Sequence, residues 1–299
     1  MTIKNLPESK NIIKLLFLSF LVLTLLFSNT ATASDIEIIL NSLKIQQGSI
    51  IKVTLKSETR NLKAENYQAK FAGNNFSFYK NNSLLETTIA ASYWSKAGIH
   101  NLKIKENQKY IYHKNIRISK VNFTESWINV SEDKEKLVSS DKKDEKLQKR
   151  LEKDREKVAR ARSKSSSQKL YENNFIWPIS GPITTEFGAA RYVNAKLQSR
   201  HSGIDIAAKK GAPVKASNNG KIVLAAELKI TGNTVIIDHG HNIFSTYAHL
   251  SQLNVQKNEL VSKGEKIGEI GSTGFSTGPH LHWTMKVANV FVNPKVFTK

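Results

Sequence analysis

From Phe175 onwards the chain breaks into seven short apolar or β-branched runs: 183–187, 204–207, 221–225, 234–238, 245–249, 266–270 and 281–287. Glycine stands in nearly every gap, and Trp177-Pro178-Ile179-Ser180-Gly181-Pro182 makes an irregular entry. Runs of this length between tight-turn residues specify strands, so residues 174–299 are expected to form an all-β domain.

The last run carries the chemistry. His280-Leu281-His282 follows a lead-in containing Gly271, Gly274, Gly278 and Pro279, a poor place for a helix. On a strand, the two-residue period puts both imidazoles on one face and sends Leu281 into the core. Two further pieces lie upstream. In Arg200-His201-Ser202-Gly203-Ile204-Asp205-Ile206, His201 and Asp205 are four apart and share a side of an extended chain. In Thr246-Tyr247-Ala248-His249, the histidine ends a strand. Singly, each is more often a structural hydrogen bond than a site. Together they supply the three protein ligands of an open zinc site: His201, Asp205 and one histidine of the H-x-H. The other histidine of that pair and His249 remain for proton transfer, which suits imidazole.

The chain contains no cysteine, which excludes disulfides, thiolate zinc ligands, a cysteine nucleophile and a lipidated N-terminal cysteine. Any metal is therefore held by His, Asp or Glu. Net charge is +20. That balance is compatible with nucleic acid, anionic membrane or cell-wall partners. No basic motif with interleaved aromatics supports nucleic acid.

Upstream, Lys4, Lys10 and Lys14 precede an apolar run over 15–27 and an Ala31-Thr32-Ala33 cleavage pattern. Residues 1–33 thus read as a secretory signal peptide, too short in its apolar part for a transmembrane helix. The mature protein is expected outside the cytoplasm, with no stable membrane span after cleavage. Residues 34–130 alternate like short strands, as in Ile50-Ile51-Lys52-Val53-Thr54-Leu55-Lys56, and are expected to form a small antiparallel β-domain without catalytic residues. His100 and His113 read as structural or surface residues there, and Trp94 and Trp127 as core. Residues 131–173 are packed with charge, and 131–169 lack both Gly and Pro, so they read as a solvated helical linker. Leu147, Leu151 and Val158 make only a thin stripe, and Asp144 and Asp154 interrupt any heptad.

RHSGIDIA, GAPVKA followed by NGKIVLA, GNTVIIDHG, STYAHLS, KGEKIGEIGSTGFSTGPHLHW and VNP resemble, in content and order, the lysostaphin-type (LytM-like) zinc metalloendopeptidases. The resemblance runs from about Trp177 to Pro294. It implies a compact antiparallel β-domain with Zn2+ in a groove, held by His201, Asp205 and His282, with His249 and His280 as catalytic histidines. It further implies hydrolysis of an amide in a peptidoglycan stem-peptide cross-link, with a D,D-endopeptidase in the periplasm favoured by the signal peptide. Other cell-wall hydrolases or synthesis proteins are the expected partners. The alternative is a non-catalytic LytM-like activator of another wall hydrolase, but all three ligands and both catalytic histidines are present. The N-terminal β-domain is a candidate shield over the groove. Tyr247 and Trp283 are expected on the groove floor, His239 and His241 at turns near its rim, and Tyr192 on a groove loop.

Overall fold

The computed structural model describes residues 35–138, 144–172 and 174–298. The signal-peptide reading over 1–33 lies outside the described residues. The described chain is mostly β. Two helices stand between its N-terminal and C-terminal sheets: α1 (Glu132–Lys136) and α2 (Glu145–Arg162). No helix among the described residues is long and apolar enough to cross a membrane.

Two sheets form the N-terminal part. One orders Glu37–Leu40, Ile50–Lys56, Leu84–Ala90 and Tyr79–Asn81. The other orders Lys44–Gln46, Lys109–Ser119, Gly98–Glu106, Tyr67–Phe71 and Asn74–Ser77. Their alternation is the sequence's own: Ile51, Val53 and Leu55 are buried while Lys52 points to solvent. The core there also takes in Phe71, Phe76, Leu102, Ile104 and Ile116. His113 is exposed, and His100 is half-buried with its ring edge-on to Phe71, so neither departs from the structural or surface role expected.

The expectation for the two tryptophans is overturned. Trp94 and Trp127 are 66% and 62% exposed. Trp127 lies flat on Tyr192 with ring centroids 4.1 Å apart, and Trp94 lies against the Arg200 guanidinium. Each indole is satisfied by one ring or cation partner and needs no core site.

The C-terminal part is built on one large sheet. Its order is Ile183–Thr185, Ile204–Ala207, His280–Val287, Ile243–Leu250, Gly232–Asp238, Gly220–Leu228 and Leu260–Val261, with Val290–Val292 also paired to His280–Val287. A small second sheet orders Pro213–Lys215, Lys266–Glu269 and Gln252–Leu253. Trp283 and Tyr247 sit opposite each other in the register and are fully buried. Gly203 is required where the strand Ile204–Ala207 begins: a Cβ there would run into the Trp283 carbonyl.

The linker is not a solvated rod. Asp144 caps α2 by accepting from the Leu147 amide at 2.9 Å. The helix then docks on Gly220–Leu228, burying Leu151 and Asp154. Asp154, which breaks a heptad, accepts instead from the Lys229 amide at 2.7 Å and from Arg150 at 3.2 Å. The thin apolar stripe is sufficient because its partner is a sheet. The two parts of the chain also share a strand pairing: Glu125–Ile128 runs parallel to Ala190–Val193, which folds back on Lys196–Arg200.

Candidate metal centre

Three adjacent strand features bring the distant histidines together. Asp205 lies directly opposite His282 in the antiparallel register of Ile204–Ala207 with His280–Val287, and Ala207 lies opposite His280. Ala248 pairs with His282 on the other side, which delivers His249 to the end of its strand beside the same spot. His201 precedes the first strand. Its Nδ1 lies 3.0 Å from the Glu186 carbonyl, which fixes that nitrogen as the donor and leaves the Nε2 lone pair facing inward.

His201 Nε2, Asp205 Oδ1 and His282 Nδ1 are 2.7–2.9 Å from one another. All three residues are buried. With His201 Nδ1 turned to the Glu186 carbonyl, its Nε2 and Asp205 Oδ1 both present lone pairs here, and a proton on His282 Nδ1 is the one available to share between them. Tetrahedral zinc with bonds of about 2.0–2.1 Å needs ligand atoms roughly 3.3 Å apart, so the cluster would open by about half an ångström to admit an ion. The donor set of two imidazoles and a carboxylate suits zinc in kind.

The electrostatics follow from that packing. Burial opposes ionisation of Asp205, but the hydrogen bonds and charges of His201 and His282 outweigh it and hold the carboxyl below the usual range. Burial pushes His282 down to about 4. Burial, then the neighbouring His282 and His280, push His249 down to about 3. A neutral imidazole is the form that binds metal or accepts a proton.

His249 and His280 stand next to this cluster with ring centroids 4.8 Å apart. His249 Nδ1 lies 2.8 Å from the Thr273 carbonyl and His280 Nδ1 lies 2.8 Å from the Gly278 carbonyl. Both therefore keep Nε2 as the free base. His280 Nε2 is 3.9 Å from Asp205 Oδ1. His249 has φ = 63°, in the left-handed region, and its amide donates to the Thr231 carbonyl at 2.8 Å. Gly271 lets this corner close, since a Cβ there would meet the backbone of 249–251.

The five residues border or underlie a cleft of about 850 Å³. Its walls come from Thr184–Glu186, from the loop Phe275–Pro279 and from Thr124–Asn129 of the N-terminal part. Lys134 on α1 donates to the Ser276 carbonyl and so ties this wall to the loop. Arg191 is a feature that the residue pattern did not reveal. It lines the cleft, with Nη2 3.4 Å from Asp205 Oδ2, and thereby contacts the carboxylate oxygen that the histidines leave free. Only the neighbouring Tyr192 drew attention in the sequence, and it stacks on Trp127 instead. His239 and His241 do not line the cleft: His239 is fully buried, and His241 stacks on Tyr79.

The fold and the convergent ligand atoms define a β-domain with a site able to hold one divalent cation. The family model described as Peptidase family M23 matches residues 199–294, which contain all five histidine and aspartate positions. The C-terminal part is a peptidase M23 domain of the LytM/lysostaphin type. Over 98 residues it is 42% identical to Peptidoglycan DD-endopeptidase ShyA of Vibrio cholerae, covering 33% of this chain and 23% of that protein. Over 119 residues it is 35% identical to Murein hydrolase activator NlpD of Salmonella dublin, covering 40% of this chain and 29% of that one. The chain thus spans less than a third of either relative. A crystal structure described as a putative peptidase M23 from Pseudomonas aeruginosa has the same fold over 84% of this chain and 93% of its own, with TM-score 0.61 and 21% identity.

Proposed function

We propose that this protein is a periplasmic zinc-dependent endopeptidase that hydrolyses an amide in peptidoglycan stem-peptide cross-links, with the D,D-bond as substrate. The observation that carries the reading is the convergence of His201 Nε2, Asp205 Oδ1 and His282 Nδ1, with His249 and His280 alongside as unligated bases. A divalent ion held by those three atoms supplies Lewis acidity to the scissile carbonyl and to the attacking water. The chain's own residues do the rest. Either His249 or His280, each with Nδ1 anchored to a backbone carbonyl, takes the water's proton on Nε2. The imidazolium so formed hands that same proton to the leaving amine as the C–N bond breaks, and the other ring lies beside it and helps to position the reacting groups. Arg191 holds the outer oxygen of Asp205 and keeps that carboxylate oriented. Thr124–Asn129 and the loop Phe275–Pro279 wall the substrate off from bulk water.

The similarity to NlpD supports a second reading, an activator of another wall hydrolase. Against it stands the complete set of ligand and base positions. Metal analysis of the purified protein, followed by mass spectrometry of fragments released from defined cross-linked peptidoglycan, separates the two. Stoichiometric zinc with cleavage at the cross-link supports the peptidase. Intact cross-links in the presence of bound zinc refute it.

A further inference from the structure

A second pocket, of about 440 Å³, opens where α2 crosses the large sheet. Its apolar lining is Leu151 and Val158 from the helix and Leu228 and Ile230 from the sheet side. Three cations border it: Arg155, Arg162 and Lys286. The one carboxylate there, Asp154, is already committed to the Lys229 amide and to Arg150.

Arg162 and Lys286 both line this pocket, and each packs on the Phe291 ring, at 5.8 and 5.2 Å from its centre. Among the described residues neither has an ion-pair partner. Arg162 donates from Nη2 to the Thr246 hydroxyl at 2.6 Å, and its Nε is buried with no partner at all. Burial, then the charge of Arg162, push the Lys286 amine down to about 8. Two like charges side by side on a half-buried apolar surface are costly unless an anion bridges them.

We propose that this pocket is a docking site for an acidic peptide segment of a protein partner, which inserts one apolar side chain beneath α2 and sets a carboxylate between Arg162 and Lys286. Charge complementarity selects the anion, and the aliphatic lining selects the neighbouring apolar side chain. Stem peptides of the cell wall carry carboxylates but no large apolar side chain. A bilayer presents a sheet of tails, whereas this space is bounded by a helix and a turn and admits one group. The site is distinct from the metal cluster and does not depend on the chemistry there. It is nonetheless near it: Lys286 is on the same strand face as His282, four residues on, or about 13 Å. The turn that lines the pocket also serves the cleft, since the Ile230 carbonyl accepts from the Phe275 amide and the Thr231 carbonyl from the His249 amide.

The test is fluorescence anisotropy with the full chain and a fluorescein-labelled ten-residue peptide alternating Leu and Glu. The expected result is saturable binding that weakens at least tenfold with Lys286→Gln, and again with Arg155→Gln. Changing every Leu of the peptide to Ser weakens it similarly. Lys103→Gln with Lys105→Gln, in the N-terminal sheet, leaves binding unchanged. Hydrogen exchange on the wild-type complex, which requires no variant to fold, then slows over 151–162 and 228–231. Equal binding by Lys286→Gln, or by the Ser peptide, reduces the attraction to net charge and overturns the proposal. So does binding at these residues by phosphatidylglycerol vesicles or soluble stem peptide in place of the Leu-Glu peptide.

Discussion

His239 offers a pH experiment whose outcome can be worked from its surroundings. The ring is fully buried, with Nδ1 2.7 Å from the Asn219 carbonyl and Nε2 2.7 Å from the Ser245 hydroxyl. The first contact makes Nδ1 the donor, and full burial keeps the ring neutral, with its Nε2 lone pair beside the Ser245 hydroxyl. Burial pushes its pKa from 6.5 down to about 4. Between those two values the unfolded chain binds one more proton than the folded one, so stability rises with pH there. The contribution is fully present above about pH 6.5 and drains away as pH falls through about 4. At pH near 5 the loss is RT ln[(1 + 10^1.5)/(1 + 10^−1)], about 2 kcal/mol relative to pH near 7.5. His249 and His282 add losses of the same sign, so the measurement must be differential. Urea unfolding followed by tryptophan fluorescence, with chelator present throughout, compares the wild type with His239→Gln. The variant is less stable at neutral pH, because a side chain of different shape cannot satisfy Asn219 and Ser245 together. Its stability should fall by about 2 kcal/mol less than that of the wild type between the two pH values. Parallel pH profiles for the two proteins would falsify the argument, as would an NMR titration of His239 centred near its ordinary value.

Other expectations follow from the same structure. His282→Ala should abolish stoichiometric zinc, while His249→Ala should retain zinc and lose turnover by roughly 10²–10⁴-fold; loss of metal in the His249 variant contradicts its role as a base. Gly203→Ala should cost about 1–3 kcal/mol, because the new methyl meets the Trp283 carbonyl; an unchanged melting temperature would show that this strand start yields freely. Trp127→Ala combined with Lys134→Ala releases the cleft wall from the Tyr192 ring and the Ser276 carbonyl. Because that wall encloses the substrate, hydrolysis of intact peptidoglycan should fall several-fold; a rise in rate would show instead that the wall blocks the groove.

What the residues disclosed in advance depended on how local the cause was. The strand Ile204–Ala207 was readable to the residue because a glycine forced by close packing precedes it and alternation fills it. His280 and His282 share a face for a reason contained within three residues. The cluster as a whole was readable only because its members sit on such locally determined strands, whose register then places Asp205 against His282. The hairpin Ala190–Arg200 was missed, and with it Arg191, since no run of β-branched residues marks it. Its formation depends on the parallel strand Glu125–Ile128, more than sixty residues upstream, and on one stacked pair of rings. The same distinction explains the linker. Its helix was legible from composition and spacing, whereas its docking was not, because Asp154 reads as a polar interruption until the Lys229 amide that it caps is in view. A buried charge of that kind is paired by a partner the local sequence does not contain. Arg162 and Lys286 are the converse case: the fold buries their charge and supplies no anion among the described residues, which is why that pocket, rather than a further feature of the cleft, points to a second molecule.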